Sequence, residues 1–152
     1  MRKQSIGFKF TVDSNYLIAY LQTWHSHHEA TVKDFGRRLA RAEQFHLIPH
    51  TLTETYAVMT RMPEPYRVAP SLAFDLMSDS FRKYPILEHP PASDCWDYLS
   101  GMAGASVGGG RSYDVWIART AHFGGLHALV TWNAKHFERN PYHGLAILTP
   151  VT

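Results

Sequence analysis

The strongest constraint on the fold is an alternation. Short apolar segments at residues 8–12, 45–48, 84–89, 128–132 and 146–148 are separated by segments with helical spacing. The predicted helices cover 15–24, 29–43, 51–62, 71–80, 93–103 and 114–123, with one further turn over 134–139. Strands that alternate with helices form a parallel sheet covered on both faces, because each crossover returns the chain across a face. The expected class is therefore α/β. Pro63, Pro65 and Pro70 force a loop in the middle of the chain. No repeat or linker interrupts the pattern, so residues 1–152 read as one domain.

Composition excludes several alternatives. With 45% hydrophobic and 18% charged residues the chain carries a globular, not a disordered, composition. No apolar run approaches the ~20 residues of a membrane helix. The basic start, Met1-Arg2-Lys3-Gln4-Ser5, is followed only by short apolar stretches, which argues against a secretory signal. A single cysteine, Cys95, rules out an internal disulfide or a multi-cysteine metal site. A cytoplasmic protein without membrane contact is expected. Fifteen basic against 13 acidic residues give a net charge of +2, which neither requires nor excludes a nucleic-acid partner.

Four polar residues occupy equivalent places in the pattern. Asp13 follows the first strand, Glu54 lies in the first turn of the helix after the second, Asp114 opens a helix, and Asn133 follows the strand at 128–132. Groups at the carboxyl ends of parallel strands share one edge of the sheet, where ligands bind. Helix capping explains each residue singly: Asp13, Asp114 and Asn133 as N-caps, and Glu54 in a capping box with Thr51. Jointly they describe an acidic pocket. Asp13 interrupts an apolar neighbourhood, where a carboxylate is costly unless paired or bound to a cation. Clustered carboxylates repel one another, which implies a divalent ion, and all-oxygen ligands favour Mg²⁺ or Mn²⁺.

The segments Val12-Asp13-Ser14-Asn15-Tyr16-Leu17-Ile18, Thr53-Glu54, Ser112-Tyr113-Asp114-Val115-Trp116-Ile117-Ala118 and Leu129-Val130-Thr131-Trp132-Asn133-Ala134-Lys135-His136-Phe137 resemble the four acidic motifs of PIN-domain ribonucleases. Within that family they look most like the VapC toxins of bacterial toxin–antitoxin pairs. The resemblance implies a three-layer α/β/α sandwich with a parallel sheet in the order 3-2-1-4-5. It also implies Mg²⁺- or Mn²⁺-dependent endoribonuclease activity on RNA phosphodiester bonds, inhibition by a cognate antitoxin, and a homodimer that assembles with the antitoxin into a heterotetramer or larger complex. By the same resemblance Asp13 and Asp114 bind the metal, Glu54 and Asn133 complete the catalytic set, and Asn15 and Thr131 hold the carboxylates by hydrogen bonds. Asn133 stands where members carry Asp or Asn. Trp116 and Trp132 are bulkier than usual at their places.

Two other readings remain. Asp13 as the nucleophile of a phosphotransfer site is the weaker, because position 15 is Asn and not a second acid. A PIN-like domain that binds RNA or a partner without cutting is the non-enzymatic alternative. Arg37, Arg38 and Arg41 lie along one predicted helix and read as a solvated face or as contacts to RNA or antitoxin. His25, His27 and His28 could bind a transition metal, but read first as a polar turn between helices. Gly108-Gly109-Gly110 lacks the Gly-Lys-Ser/Thr of a phosphate loop. Met59, Met62, Leu72, Phe74 and Met77 read as core or as a dimer face.

Overall fold

The computed structural model describes residues 7–150. The basic start at Met1–Ser5 lies outside the described residues. The order of elements is β1 (Lys9–Val12), α1 (Ser14–Leu21), α2 (His28–Ala40), β2 (Gln44–Phe45), α3 (Pro49–Arg61), α4 (Pro70–Phe81), α5 (Cys95–Gly104), α6 (Arg111–Phe123), β3 (Ala128–Val130) and β4 (Ala146–Leu148). Short 3₁₀ turns precede α5 and follow β3. Among the described residues no helix is long and apolar enough to cross a membrane.

Among those residues the sheet has four parallel strands in the order β2-β1-β3-β4. The expected order had a fifth strand, over residues 84–89, at the outer edge. That segment makes only an isolated parallel bridge, Leu47 to Ile86, on the side of β2 where the strand was expected. The Leu47 amide donates to the Pro85 carbonyl and the Leu87 amide to the Leu47 carbonyl, each at 2.8 Å. Pro85 has no N–H to extend the ladder and Pro90 closes it, which confines pairing to this bridge.

Both faces of the sheet are buried, because helices cover each face and strand side chains alternate between them. Phe10, Val12, Ala128 and Val130 point to one side, where they pack with Tyr16, Leu17, Phe35, Phe45 and Phe81. Leu129 points to the other, against Ile117, Ala118, Ala121 and Phe137. A third cluster of Ile18, Met59, Val68 and Ala73 joins α1, α3 and α4. Of the residues expected to form a core or dimer face, Met59 is core, whereas Leu72 and Phe74 are half exposed.

Helix boundaries correct several sequence expectations. α3 starts at Pro49, so Thr51 already lies inside it and its buried hydroxyl has no hydrogen-bond partner among the described residues. The Thr51–Glu54 capping box therefore does not form. α6 starts at Arg111, which places Asp114 within its first turn and not at its cap. α6 ends at Phe123, and Gly125 takes a φ of 71° that favours glycine. Asp13 does cap α1: its carboxylate accepts the Tyr16 amide at 3.1 Å.

The largest departure concerns α2. Val32 and Leu39 are exposed although apolar, while Arg38, read from sequence as a solvated face or a contact residue, is only 6% exposed. Its guanidinium donates to Asp34 at 2.9 Å and to Glu43 at 3.2 Å, and the Tyr16 hydroxyl donates to Asp34 at 2.8 Å. Arg38 is thus a structural ion-pair residue and not a surface contact for RNA or antitoxin; Arg37 and Arg41 remain exposed. Removing one member of a buried charged pair typically costs about 3–5 kcal/mol, because the partner stays buried and uncompensated. Asp34→Ala is accordingly expected to lower the unfolding free energy by at least ~3 kcal/mol in urea titrations, and a loss below ~1 kcal/mol would contradict this role.

Candidate active site

The site forms where β1, β3, α3 and α6 present their ends. The parallel register pairs Val12 with Val130, so the next residues, Asp13 and Thr131, come level just beyond the strands. The Thr131 hydroxyl donates to Asp13 Oδ2 at 2.5 Å, and the Asn133 amide donates to Thr131 Oγ1 at 2.9 Å. The β3 end thereby holds the Asp13 carboxylate from one side while the α1 amide of Tyr16 holds it from the other.

Asp13 is 4% exposed. Its pKa is pushed up from the usual 3.8 to about 6, chiefly by burial. The hydrogen bonds from Thr131 and Tyr16 oppose this, and the negative charges of Asp114 and Glu54 add to it. Asp114, half-buried in α6, is also raised to about 6, again first by burial. His136 and Arg111 lower it, and Glu54 raises it. The three expected carboxylates are thus close enough to feel one another's charge, with Asp13 and Asp114 the most perturbed. Strongly perturbed carboxylates that lie within reach of one another's charge mark functional sites more often than scaffolding.

The expected supporting residues divide. Thr131 binds Asp13 directly. Asn15 is exposed and makes no hydrogen bond to it among the described residues, because the first turn of α1 directs it outward. Asn133 is half-buried; its side chain caps nothing, while its backbone amide braces Thr131. Two residues of the site were not anticipated. His136 Nδ1 lies 3.7 Å from Asp114, and His50 Nε2 lies 3.5 Å from Glu54. The His50–Glu54 spacing of i, i+4 within one helix is a pairing signal present in the sequence. His136 comes close only through the turn after β3, which no local spacing reveals.

The histidines at 25, 27 and 28 serve the α1–α2 turn. His27 stacks on Trp132 with ring centroids 3.9 Å apart, and His28 Nδ1 bonds the Ala19 carbonyl oxygen at 2.9 Å. Among the described residues no group of three or more His, Cys, Asp or Glu is gathered closely enough to enclose a metal ion. A pair of buried or half-buried carboxylates still suits Mg²⁺ or Mn²⁺, since Mg²⁺ keeps several waters and is held by one or two carboxylates with substrate phosphate completing its shell. Asp13 and Asp114 are the two most buried carboxylates here that could hold such an ion.

The chain is 35% identical over 118 residues to the ribonuclease VapC40 of Mycobacterium tuberculosis, a match covering 77% of this chain and 81% of that protein. The chain belongs to the VapC ribonuclease family. A second VapC relative, the ribonuclease VapC27 of the same organism, is 32% identical over 115 residues, covering 72% of this chain and 74% of its own length. The DNA-bound VapBC complex of Salmonella typhimurium includes a chain of the same fold, with a TM-score of 0.68 at 22% identity, over 95% of this chain and 99% of that one. No family model matches the chain. The fold brings Asp13, Glu54, Asp114 and Asn133, the polar residues of the four sequence motifs, to one end of the sheet.

Because folding raises both aspartate pKa values, the folded protein holds protons that the unfolded chain has released between about pH 4 and pH 6. The contribution of these groups to stability is therefore full below about pH 4 and falls as the pH rises through about 6. Metal-free protein is expected to lose unfolding free energy over that window in urea titrations, and Asp13→Asn is expected to flatten the slope. A stability that rises across the window in wild type, with the same slope in Asp13→Asn, would contradict the assignment.

Proposed function

We propose that this VapC chain is the toxin of a toxin–antitoxin pair, an endoribonuclease that hydrolyses RNA phosphodiester bonds at an Mg²⁺ or Mn²⁺ site formed by Asp13 and Asp114. The observation that carries this reading is Asp13 itself. It is a buried carboxylate held by two hydrogen bonds, faced by the charges of Asp114 and Glu54, and without a cationic side chain paired to it among the described residues. A scaffold carboxylate in the same protein, Asp34, is paired with Arg38. The family membership supports the chemistry, since the relatives are ribonucleases by name.

When bound, a divalent ion would polarise the phosphate and lower the pKa of its water toward neutrality. The chain's own residues do the rest. Asp13, fixed by Thr131 and Tyr16, keeps one orientation toward the cation. Asp114 supplies a second oxygen donor from α6, with His136 beside it. Glu54, partly exposed and next to His50, is placed to orient a water at the mouth of the site. Arg111 brings positive charge near Asp114 for the RNA backbone.

A cognate antitoxin and self-association as a homodimer complete the proposal. Support for the antitoxin comes from the structural likeness to a chain of the VapBC complex bound to DNA. Exposed Arg37 on α2 and Arg41 at its C-cap are the charged contacts offered to RNA or an acidic antitoxin segment.

Purified wild type is expected to cleave RNA in Mg²⁺ or Mn²⁺ and to stop in EDTA. Asp114→Ala is expected to slow cleavage by ~10²-fold or more, the scale of a lost electrostatic contact in the transition state, while its unfolding midpoint stays near that of wild type. A folded Asp114→Ala protein that cleaves at the wild-type rate would remove Asp114 from the mechanism. Calorimetric titration is expected to show Mn²⁺ binding to wild type and a much weaker response in Asp13→Asn. Metal binding by wild type without cleavage of any RNA would favour the non-cutting alternative.

A further inference from the structure

A cavity of about 280 Å³ opens beside the acidic site, between the start of α3, α5 and the first turn of α6. Its walls include His50, Tyr98, Leu99, Met102, Tyr113 and Trp116. Small-molecule pockets run upward from about 300 Å³, so this one suits a single ring system and not an extended chain. Its lining is largely aromatic, with a hydroxyl and an imidazole among the polar groups.

The walls are braced before any ligand arrives. The Tyr98 hydroxyl donates to the Ser112 carbonyl at 3.0 Å, which ties α5 to the turn that carries Asp114. The buried Arg119 guanidinium lies 4.9 Å from the Tyr98 ring centroid and 5.6 Å from that of Trp116. Tyr98 and Trp116 meet edge to face at 5.3 Å.

Tyr113 is the exception among these rings. It is 60% exposed although it adjoins Asp114 in sequence and lines the cavity. His50 stacks against it at 5.3 Å with the planes 12° apart, and among the described residues His50 is its one ring neighbour. The same His50 reaches Glu54. The stack therefore joins the two acidic helices at the rim of the site and leaves aromatic surface open to solvent.

We infer that this cavity receives one unpaired nucleobase of the RNA strand, stacked on Tyr113, next to the phosphate held at Asp13 and Asp114. Aromatic rings bind bases through their π-faces, with little dependence on sequence, and only an unstacked base offers its face. His50 links the cavity to Glu54, and Tyr113 adjoins Asp114 in α6, so the occupant is a nucleotide adjoining the bond to be cut. Arg111, two residues before Tyr113, is exposed on the same turn for the intervening backbone. The inference rests on the ribonuclease reading and adds to it a residue that positions the substrate.

The test uses a short single-stranded oligoribonucleotide of mixed sequence in Mn²⁺, with cleavage kinetics for wild type, Tyr113→Ala and Tyr113→Phe. Tyr113→Ala is expected to raise KM roughly tenfold with kcat within about twofold, the effect of a lost stacking contact, and Tyr113→Phe to restore KM. An abasic nucleotide at one position flanking the cut is expected to raise KM for wild type and to leave Tyr113→Ala unaffected. An unchanged KM in a Tyr113→Ala protein that cleaves RNA would overturn the pocket and leave the ribonuclease reading standing. An equal loss in Tyr113→Phe and Tyr113→Ala would assign the effect to the hydroxyl and overturn stacking. A change in oligomeric state confined to Tyr113→Ala on size exclusion would assign the face to a second copy of the chain. Absence of cleavage by wild type would withdraw both proposals.

Discussion

The Asp13 carboxylate is the point on which the rest of the molecule converges. It closes β1, caps α1 through the Tyr16 amide, and receives the Thr131 hydroxyl from the end of β3. Hydrogen bonds to a charged group contribute about 1.5–3 kcal/mol each, yet its pKa still rises from 3.8 to about 6. Burial and the neighbouring carboxylates therefore outweigh both hydrogen bonds. The residue is geometrically satisfied and electrostatically unsatisfied, the combination that suits a cation ligand.

The other face of α1 shows what the same chain does with a charge it uses for structure. Asp34, Arg38, Glu43 and the Tyr16 hydroxyl form a buried network that fastens α2 to α1. Tyr16 takes part in both arrangements: its amide caps on Asp13 and its hydroxyl anchors on Asp34. One residue thus couples the rigidity of the α1–α2 pair to the orientation of the site carboxylate. A site held to a fixed geometry by packed secondary structure needs little reorganisation when substrate arrives.

At the opposite end of the site the supports are aromatic. Arg119 is buried among Tyr98, Trp116 and Phe123, with its guanidinium 3.7 Å from Asp94. This cluster locks α5 against α6 and so fixes the turn that presents Tyr113 and Asp114. The acidic centre is flanked by a charge-paired helix on one side and a cation–π cluster on the other. Neither flank adds a free cation to the Asp13 pocket.

The sequence by itself determined the α/β class, the parallel sheet and the placement of Asp13, Asp114 and Asn133 near strand and helix ends, whereas Glu54 falls in the second turn of α3 because that helix starts at Pro49. Those follow from apolar periodicity and from the motif order, both of which are local. The alternation also located β1, β3 and β4 to within two or three residues. Tertiary structure decided what local pattern cannot encode. Arg38 looked like a solvated arginine beside Arg37 and Arg41, but Asp34 and Glu43 surround it, and only the packing of α2 on α1 buries the group. The strand at 84–89 shrank to a bridge because Pro85 cannot donate to the ladder. His136 reached Asp114 across a turn. Asn15, two positions from Asp13, faces solvent because helix geometry, and not proximity in sequence, sets where a side chain points.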